Sequence, residues 1–166
     1  MNVSAEASRR GRSNKNRGKA FERKIGHEIC DALGLEYGVD IARDVLSGGG
    51  VWKGDLHPIT AKAQKIFPYV VECKYHQDWT WNQFLGGKGK LYGWLDQLIE
   101  EYKSVKKHRK VTPLLIFSKP RDITYVCSWC NMKSTYPQVL IRYNKDVWYC
   151  TELSKFLAYK EVTPQN

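Results

Sequence analysis

The sequence of 166 residues predicts an α/β protein, because segments with helical periodicity alternate with segments typical of strands. A first helix is indicated by apolar residues at intervals of four, namely Phe21, Ile25, Ile29 and Leu33. A second helix is indicated over 91–107 by a stripe of Leu, Trp, Ile and Tyr. Between them, an aromatic and two valines in 69–74 favour a strand. This length suffices for one domain with a substantial core.

The composition predicts a polyanionic partner. The formal net charge is +10 with a pI near 9.4, and a protein that basic most simply binds nucleic acid. No secretory segment and no apolar run long enough for a bilayer stands out, so we expect no membrane partner. Five cysteines, an odd number, fit a reduced cytoplasmic setting better than a disulfide framework.

Residues 1–18 are predicted to form a disordered basic arm, and residues 19–166 a single domain. The arm is rich in Ser, Asn, Gly and Arg and contains almost no apolar residues. Such a segment is either a solubilising tail or an arm that closes on DNA phosphates, and we favour the second. The arm residues predicted to bind DNA are Arg9, Arg10, Arg12, Lys15 and Arg17.

The first helix is predicted to begin at Lys19 and to end at Gly34. Glu22 lies at the edge of its apolar stripe. This residue is either an ordinary surface glutamate or a carboxylate that points from the helix toward a metal site. A strand is expected next over 37–46, followed by a glycine-rich loop that begins at Ser47 and leads to Asp55.

The strand over 69–74 carries the main chemical signal. Alternation of side chains places Glu72 and Lys74 on one face, and Asp55 supplies a second carboxylate upstream. Two carboxylates from neighbouring strands can hold a divalent metal ion, and a lysine beside them can stabilise developing negative charge. This combination is typical of phosphodiester cleavage. The alternative is a solvated Glu–Lys pair on an edge strand.

Two further segments have the character of nucleic-acid contacts. Trp79 and Trp81 either stack against bases or sugars, or belong to the core, and the sequence favours neither. Lys88 and Lys90, in a glycine-rich loop over 86–90, are predicted to contact phosphates. Gln97 lies beside the apolar stripe of the second helix and is a candidate to face the site.

The last third of the chain is predicted to add three strands, over 111–118, 123–127 and 137–143, and a short helix over 151–159. Cys127 and Cys130 have the spacing of half a zinc site. A zinc ribbon needs a second such pair, and the remaining cysteines have unsuitable spacings, so we expect no zinc there.

The order of these motifs resembles the PD-(D/E)xK nuclease superfamily and, within it, the archaeal-type Holliday junction resolvases. The family opening of Arg-Gly, two residues, then Phe-Glu-Arg is matched by residues 17–23. An arginine before a serine–glycine loop is matched by Arg43 and Ser47. The similarity spans roughly residues 17–118. It departs at the usual Pro-Asp, which is Gly54-Asp55 here.

The resemblance implies a restriction-endonuclease-like core, with a mixed central β-sheet flanked by helices and the site at a sheet edge. Asp55 and Glu72 would then be the direct ligands of Mg²⁺, with Mn²⁺ as a substitute, and the Cys73 carbonyl would be a third. Lys74 would position or help deprotonate the attacking water. The remaining family roles fall on Glu22 as part of the metal cluster, Ser47 on the loop at the scissile strand, and Arg43 as a DNA contact.

The function implied is a Mg²⁺-dependent DNA endonuclease of recombination and repair. It would act on branched DNA and resolve four-way junctions as a homodimer, because two symmetric nicks require two sites. Two other readings stay open. One is another endonuclease of the superfamily, of flap, repair or restriction type. The other is a basic nucleic-acid-binding protein without enzymatic activity, which would leave the Asp55, Glu72 and Lys74 pattern as coincidence.

Overall fold

Two parallel strands occupy the middle of the sheet and carry its most buried residues. The computed structural model describes residues 3–43, 53–131 and 136–159, without the side chains of residues 3–10 and 12. The strands are β1 (Ile41–Arg43), β2 (Leu56–Pro58), β3 (Tyr69–Tyr75), β4 (Thr112–Ser118), β5 (Tyr125–Ser128), β6 (Val139–Tyr143) and β7 (Asp146–Glu152). The helices are α1 (Val3–Leu33), α2 (Ala61–Ile66), α3 (Trp81–Leu85), α4 (Lys90–Val105) and α5 (Leu153–Ala158).

The seven strands form one mixed sheet in the order β1-β2-β3-β4-β5-β7-β6. β3 and β4 pair in parallel over their full length, with Glu72 opposite Leu115, and the other described pairs are antiparallel. A parallel pair needs a crossover, which α3 and α4 provide. The expected mixed sheet flanked by helices is confirmed.

The two faces of the sheet are covered by different helices, as the alternation along β3 requires. Val71 and Cys73 point into a core formed with α1, α2 and α5. Val70 points to the opposite core, where Leu91, Leu95 and Leu98 of α4 are buried. Glu72 and Lys74 share the Val70 side of the strand, so their side chains meet α4.

Several predicted boundaries differ from the structure. α1 begins at Val3, so residues predicted to form a disordered arm have helical backbone, and a start at Lys19 is wrong. Ala, Arg and Lys have high helix propensity, and a chain already helical from its buried end can propagate through them. The exposure of Lys15 and Arg17 is what the polar composition predicted. The single-domain assignment over 19–166 stays a prediction.

Strand β7 was missed, although Val147, Trp148 and Tyr149 have strong strand propensity. It forms a hairpin with β6, with Asn144 in the turn at a φ of 54°, a conformation that Asn adopts more readily than most residues. α2 and α3 were also missed. None of the helices in the described ranges is long and apolar enough to cross a membrane.

Candidate active site

Asp55 is held against the central strand by two backbone contacts. Its N–H donates to the carbonyl of Val71 at 2.7 Å, and its Oδ2 accepts the N–H of Cys73 at 2.8 Å. Gly54 makes this approach possible. It has a φ of +101°, and a Cβ at this position would lie 2.5 Å from the Val71 oxygen. Proline cannot adopt that φ, which accounts for glycine where the related motif has Pro-Asp.

Glu72 and Lys74 lie together on the α4 face of β3. The Glu72 side chain is 3% exposed, and its Oε1 forms an ion pair with the ammonium of Lys74, whose side chain is 24% exposed. Gln97 of α4 joins the two groups. Its Oε1 accepts from Lys74 Nζ at 2.9 Å, and its Nε2 donates to Glu72 Oε1 at 2.9 Å. The suggestion that Gln97 faces the site is supported by these two bonds.

Burial and like charges raise the pKa of both carboxyl groups. The pKa of Asp55 rises to about 7, first because of burial and then because of the Glu72 charge, against the opposing bond from Cys73 N–H. The pKa of Glu72 also rises to about 7, through burial and then the nearby Glu101 carboxylate, against the attraction of Lys74. The site thus holds more negative charge than its single lysine neutralises.

Glu101 is a site residue that the sequence reasoning missed. Its Oε1 accepts from Gln97 Nε2 at 3.0 Å, and its Oε2 is buried without a hydrogen-bond partner among the described residues. Glu101 follows Gln97 by four positions, so both lie on the same face of α4. The sequence signal for Glu101 was therefore its four-residue spacing from Gln97, which was already a candidate to face the site.

Glu22 lies near the site but is paired with Arg43. Its Oε2 is 3.3 Å from Arg43 Nη1, and both side chains are largely buried. Glu22 also contributes to the raised pKa of Asp55, so its charge reaches the carboxylate pair. The role of Glu22 in the metal cluster stays a prediction. The role of Arg43 in DNA binding also stays a prediction, and the Arg43 guanidinium already pairs with Glu22.

The donor set fits a hard divalent cation. Asp55, directly before β2, and Glu72, on β3, offer carboxylate oxygens, the ligands that Mg²⁺ prefers. The charge of Glu72 disfavours the ionised form of Asp55, and a bound cation would offset that repulsion. Within the described ranges, no group of three or more His, Cys, Asp or Glu side chains is arranged to hold a metal ion. Asp55 and Glu72 are thus the side chains that would hold the ion, and backbone carbonyls, water and substrate could complete its shell.

The other predicted DNA contacts lie at separate places. Lys88 is exposed, and Lys90 at the start of α4 pairs with Asp78 at 3.3 Å. Lys15 and Arg17 are exposed on α1. Ser47 and the glycine-rich loop, together with the side chains of Arg9, Arg10 and Arg12, lie outside the described residues.

The two tryptophans differ in position. Trp79 is 2% exposed and packs edge-on against Phe117 in the α4-side core, with ring centroids 5.0 Å apart, so the core reading holds for it. Trp81 is partly buried and lies against Tyr125. Cys127 belongs to the α4-side core and Cys130 packs on the α1 side, so these two thiols diverge.

Gln97→Ala is expected to lower cleavage about 10- to 100-fold, the usual cost of losing a residue that orients the groups around a metal. The reason is that Lys74 and Glu72 lose their common hydrogen-bond partner. The rate is to be measured in single-turnover cleavage over a range of metal concentrations. Glu100→Ala, an exposed change on the same helix, is the control. Unchanged metal dependence and rate would remove Gln97 from the site.

The pKa shifts also predict how stability depends on pH without metal. The ordinary pKa values are 3.8 for Asp55 and 4.5 for Glu72, against about 7 for both in the folded chain. The unfolded chain therefore ionises first, and the free energy of unfolding should fall as pH rises from about 4 through 7. Asp55→Asn should flatten this fall in a urea titration. A pH dependence equal to that of the unaltered protein would contradict the shift.

An aspartate directly before β2, a buried glutamate on the neighbouring β3 and a lysine two residues after it place the chain in the PD-(D/E)xK class of nucleases. Residues 13–159 match the family model described as phage putative PDDEXK endonuclease. The chain belongs to this family. Searches of the curated proteins and of the solved structures found no significant match. Nucleases of this class generally act with divalent metal ions.

Proposed function

We propose that the protein is a structure-selective DNA endonuclease that resolves four-way junctions by paired, Mg²⁺-dependent phosphodiester hydrolysis. The nuclease part of this proposal rests on the carboxylates of Asp55 and Glu72, with Lys74 ion-paired to Glu72 and Gln97 hydrogen-bonded to both Glu72 and Lys74. The junction-specific part rests on the resemblance of residues 17–23, Arg43 and Ser47 to the archaeal-type resolvases. The net charge of +10 supports a polyanionic substrate.

Asp55 and Glu72 would hold the metal, with the Cys73 carbonyl as a third ligand. The bound ion would supply a Lewis acid for the phosphate and lower the pKa of the attacking water. Lys74 can act on the attacking water and on the phosphate. Its ammonium pairs with Glu72 and its side chain is partly exposed, so it can orient the water and stabilise charge that develops on the phosphate oxygens.

Metal binding has a signature that does not depend on cleavage. An ion that binds the folded chain alone stabilises it by about 1.4 kcal/mol at ten times Kd and about 2.7 kcal/mol at a hundred times Kd. Mg²⁺ should therefore raise the melting temperature, and more at pH 8 than at pH 6, because the carboxylates must be ionised. Asp55→Asn should abolish the increase. An equal increase in that variant would place the ion elsewhere.

Selectivity for branched DNA is tested with end-labelled four-way junction and linear duplex at equal concentration in Mg²⁺. Two identical sites at a fixed separation recognise a two-fold symmetric DNA by its shape, with affinity from backbone phosphates. We expect paired nicks in opposing strands of the junction, with duplex cut far more slowly. Equal rates, or single nicks from a protein that sediments as a monomer, would favour a flap, repair or restriction-type endonuclease.

A further inference from the structure

A cavity lies beside α1, on the side of the sheet opposite α4. It has a volume of about 370 Å³ and lies between α1 and the turn that follows β4. We call it the α1 groove. The charged residues that line it are Arg17, Lys24, Lys119, Arg121 and Asp122. Four cations and one carboxylate make it a strongly basic surface.

Two of these cations are free to meet a ligand. Arg17 and Arg121 are exposed, and neither has an ion-pair partner in the part of the chain that the structure describes. Lys24 has only an exposed pair with Glu28 at 3.4 Å, which contributes little to stability. Lys119 pairs with Asp122 of the same turn at 3.6 Å, so an anion in the groove would compete with that contact at Lys119 and with few contacts at the other three cations.

A pair of packed aromatic rings and a hydrogen-bonded turn form the base and one side of the groove. The rings of Phe21 and Tyr75 pack at 5.2 Å and close its base. The turn is tied by the N–H of Asp122 to the carbonyl of Lys119 at 3.2 Å. Within it, Arg121 has a φ of 63°, an uncommon conformation for a residue with a side chain. Arg121 is exposed and lines the groove from this turn.

The groove adjoins the candidate active site along two elements. Phe21 precedes Glu22 on α1, and Tyr75 follows Lys74 on β3, so both residues at the base of the groove are sequence neighbours of candidate site residues. Arg17 and Tyr75 also line a neighbouring cavity of about 180 Å³ that includes His76. This second cavity also includes Asp78, so its lining is polar, and the excess of positive charge belongs to the α1 groove.

We infer that the α1 groove binds the phosphodiester backbone of the DNA duplex that flanks the cleaved bond. The inference rests on the proposed nuclease function and adds Lys24, Lys119 and Arg121 to the DNA contacts. Phosphate is the ligand that exposed arginines and lysines recognise without reading bases. A backbone contact beside the site would position the duplex arm and supply affinity that is independent of sequence.

The test measures binding of a short fluorescein-labelled DNA duplex by anisotropy, without divalent metal, over a range of salt concentrations. The variant is Lys24→Gln with Arg121→Gly, which removes two exposed charges and relieves the backbone strain at 121. The control is Arg142→Gln with Lys145→Gln, an equal charge change on the exposed β6–β7 hairpin. Melting temperatures confirm that both variants fold.

Each lost phosphate contact should lower the salt slope by about 0.9, so the groove variant should lose about 1.8 and bind on the order of tenfold more weakly at moderate salt. Lys24→Gln with Arg121→Lys should lose only about half of that slope, because lysine keeps the charge. Equal slopes for groove and control variants would overturn the inference, as would an Arg121→Lys effect as large as the Arg121→Gly effect. Cleavage by the unaltered protein separately reports on the nuclease function, so the two proposals fail independently.

Discussion

Asp55→Asn, Glu72→Gln and Lys74→Ala are each expected to reduce DNA cleavage on the order of a thousandfold or more while DNA binding persists. Asp55 and Glu72 are the two carboxylates that fit the metal, and Lys74 is the cation beside them. Affinity comes instead from phosphate contacts elsewhere on a basic protein. Cleavage is to be measured under single-turnover conditions, and binding by anisotropy without metal.

Glu100→Gln is the matched control, since it removes one carboxylate from α4 at a side chain that is 72% exposed. That variant should cleave at the normal rate. Parallel loss of binding and cutting in the Asp55 and Glu72 variants would mean that these residues support the fold rather than the chemistry. Glu22→Gln should also reduce cleavage strongly, and a near-normal rate would remove Glu22 from the site.

Gly54→Ala is expected to impair both the fold and the activity, through backbone geometry alone. A methyl group at this position would lie 2.5 Å from the Val71 carbonyl oxygen, a distance that real Cβ atoms essentially never show. β2 would have to move away from β3, and Asp55 would lose its bonds to Val71 and Cys73. We expect a loss of at least about 2 kcal/mol in the free energy of unfolding and little remaining cleavage.

Gly38→Ala separates the clash from the strain of a positive φ. Gly38 has a φ of +88°, and a Cβ there would meet nothing within 4 Å. This control should cost only about 1 to 2 kcal/mol for the backbone conformation and leave cleavage intact. The free energy of unfolding in urea and the rate of DNA cleavage are to be measured for both variants. Equal destabilisation, with cleavage retained in Gly54→Ala, would show that β2 does not depend on close contact with β3 to place Asp55.

Local patterns in the sequence determined much of the architecture. The four-residue spacing of Phe21, Ile25 and Ile29 predicted the buried face of α1, and all three lie in the core. Alternation along 69–74 predicted that Glu72 and Lys74 share a face. These predictions held because they depend on backbone periods of 3.6 and 2, which a chain expresses wherever one side is buried.

Contacts between distant segments decided the rest. The sequence suggested that Gln97 faces the site, but its bond to Glu72 and the presence of Glu101 depend on the crossover from β3 to β4, which brings α4 over the strand. The reason for Gly54 likewise appears only when its backbone is seen against Val71. The sequence alone thus indicated the candidate residues Asp55, Glu72 and Lys74. The packing of α4 and β2 against β3 decided which neighbours hold them, since contacts across the fold depend on topology and not on spacing.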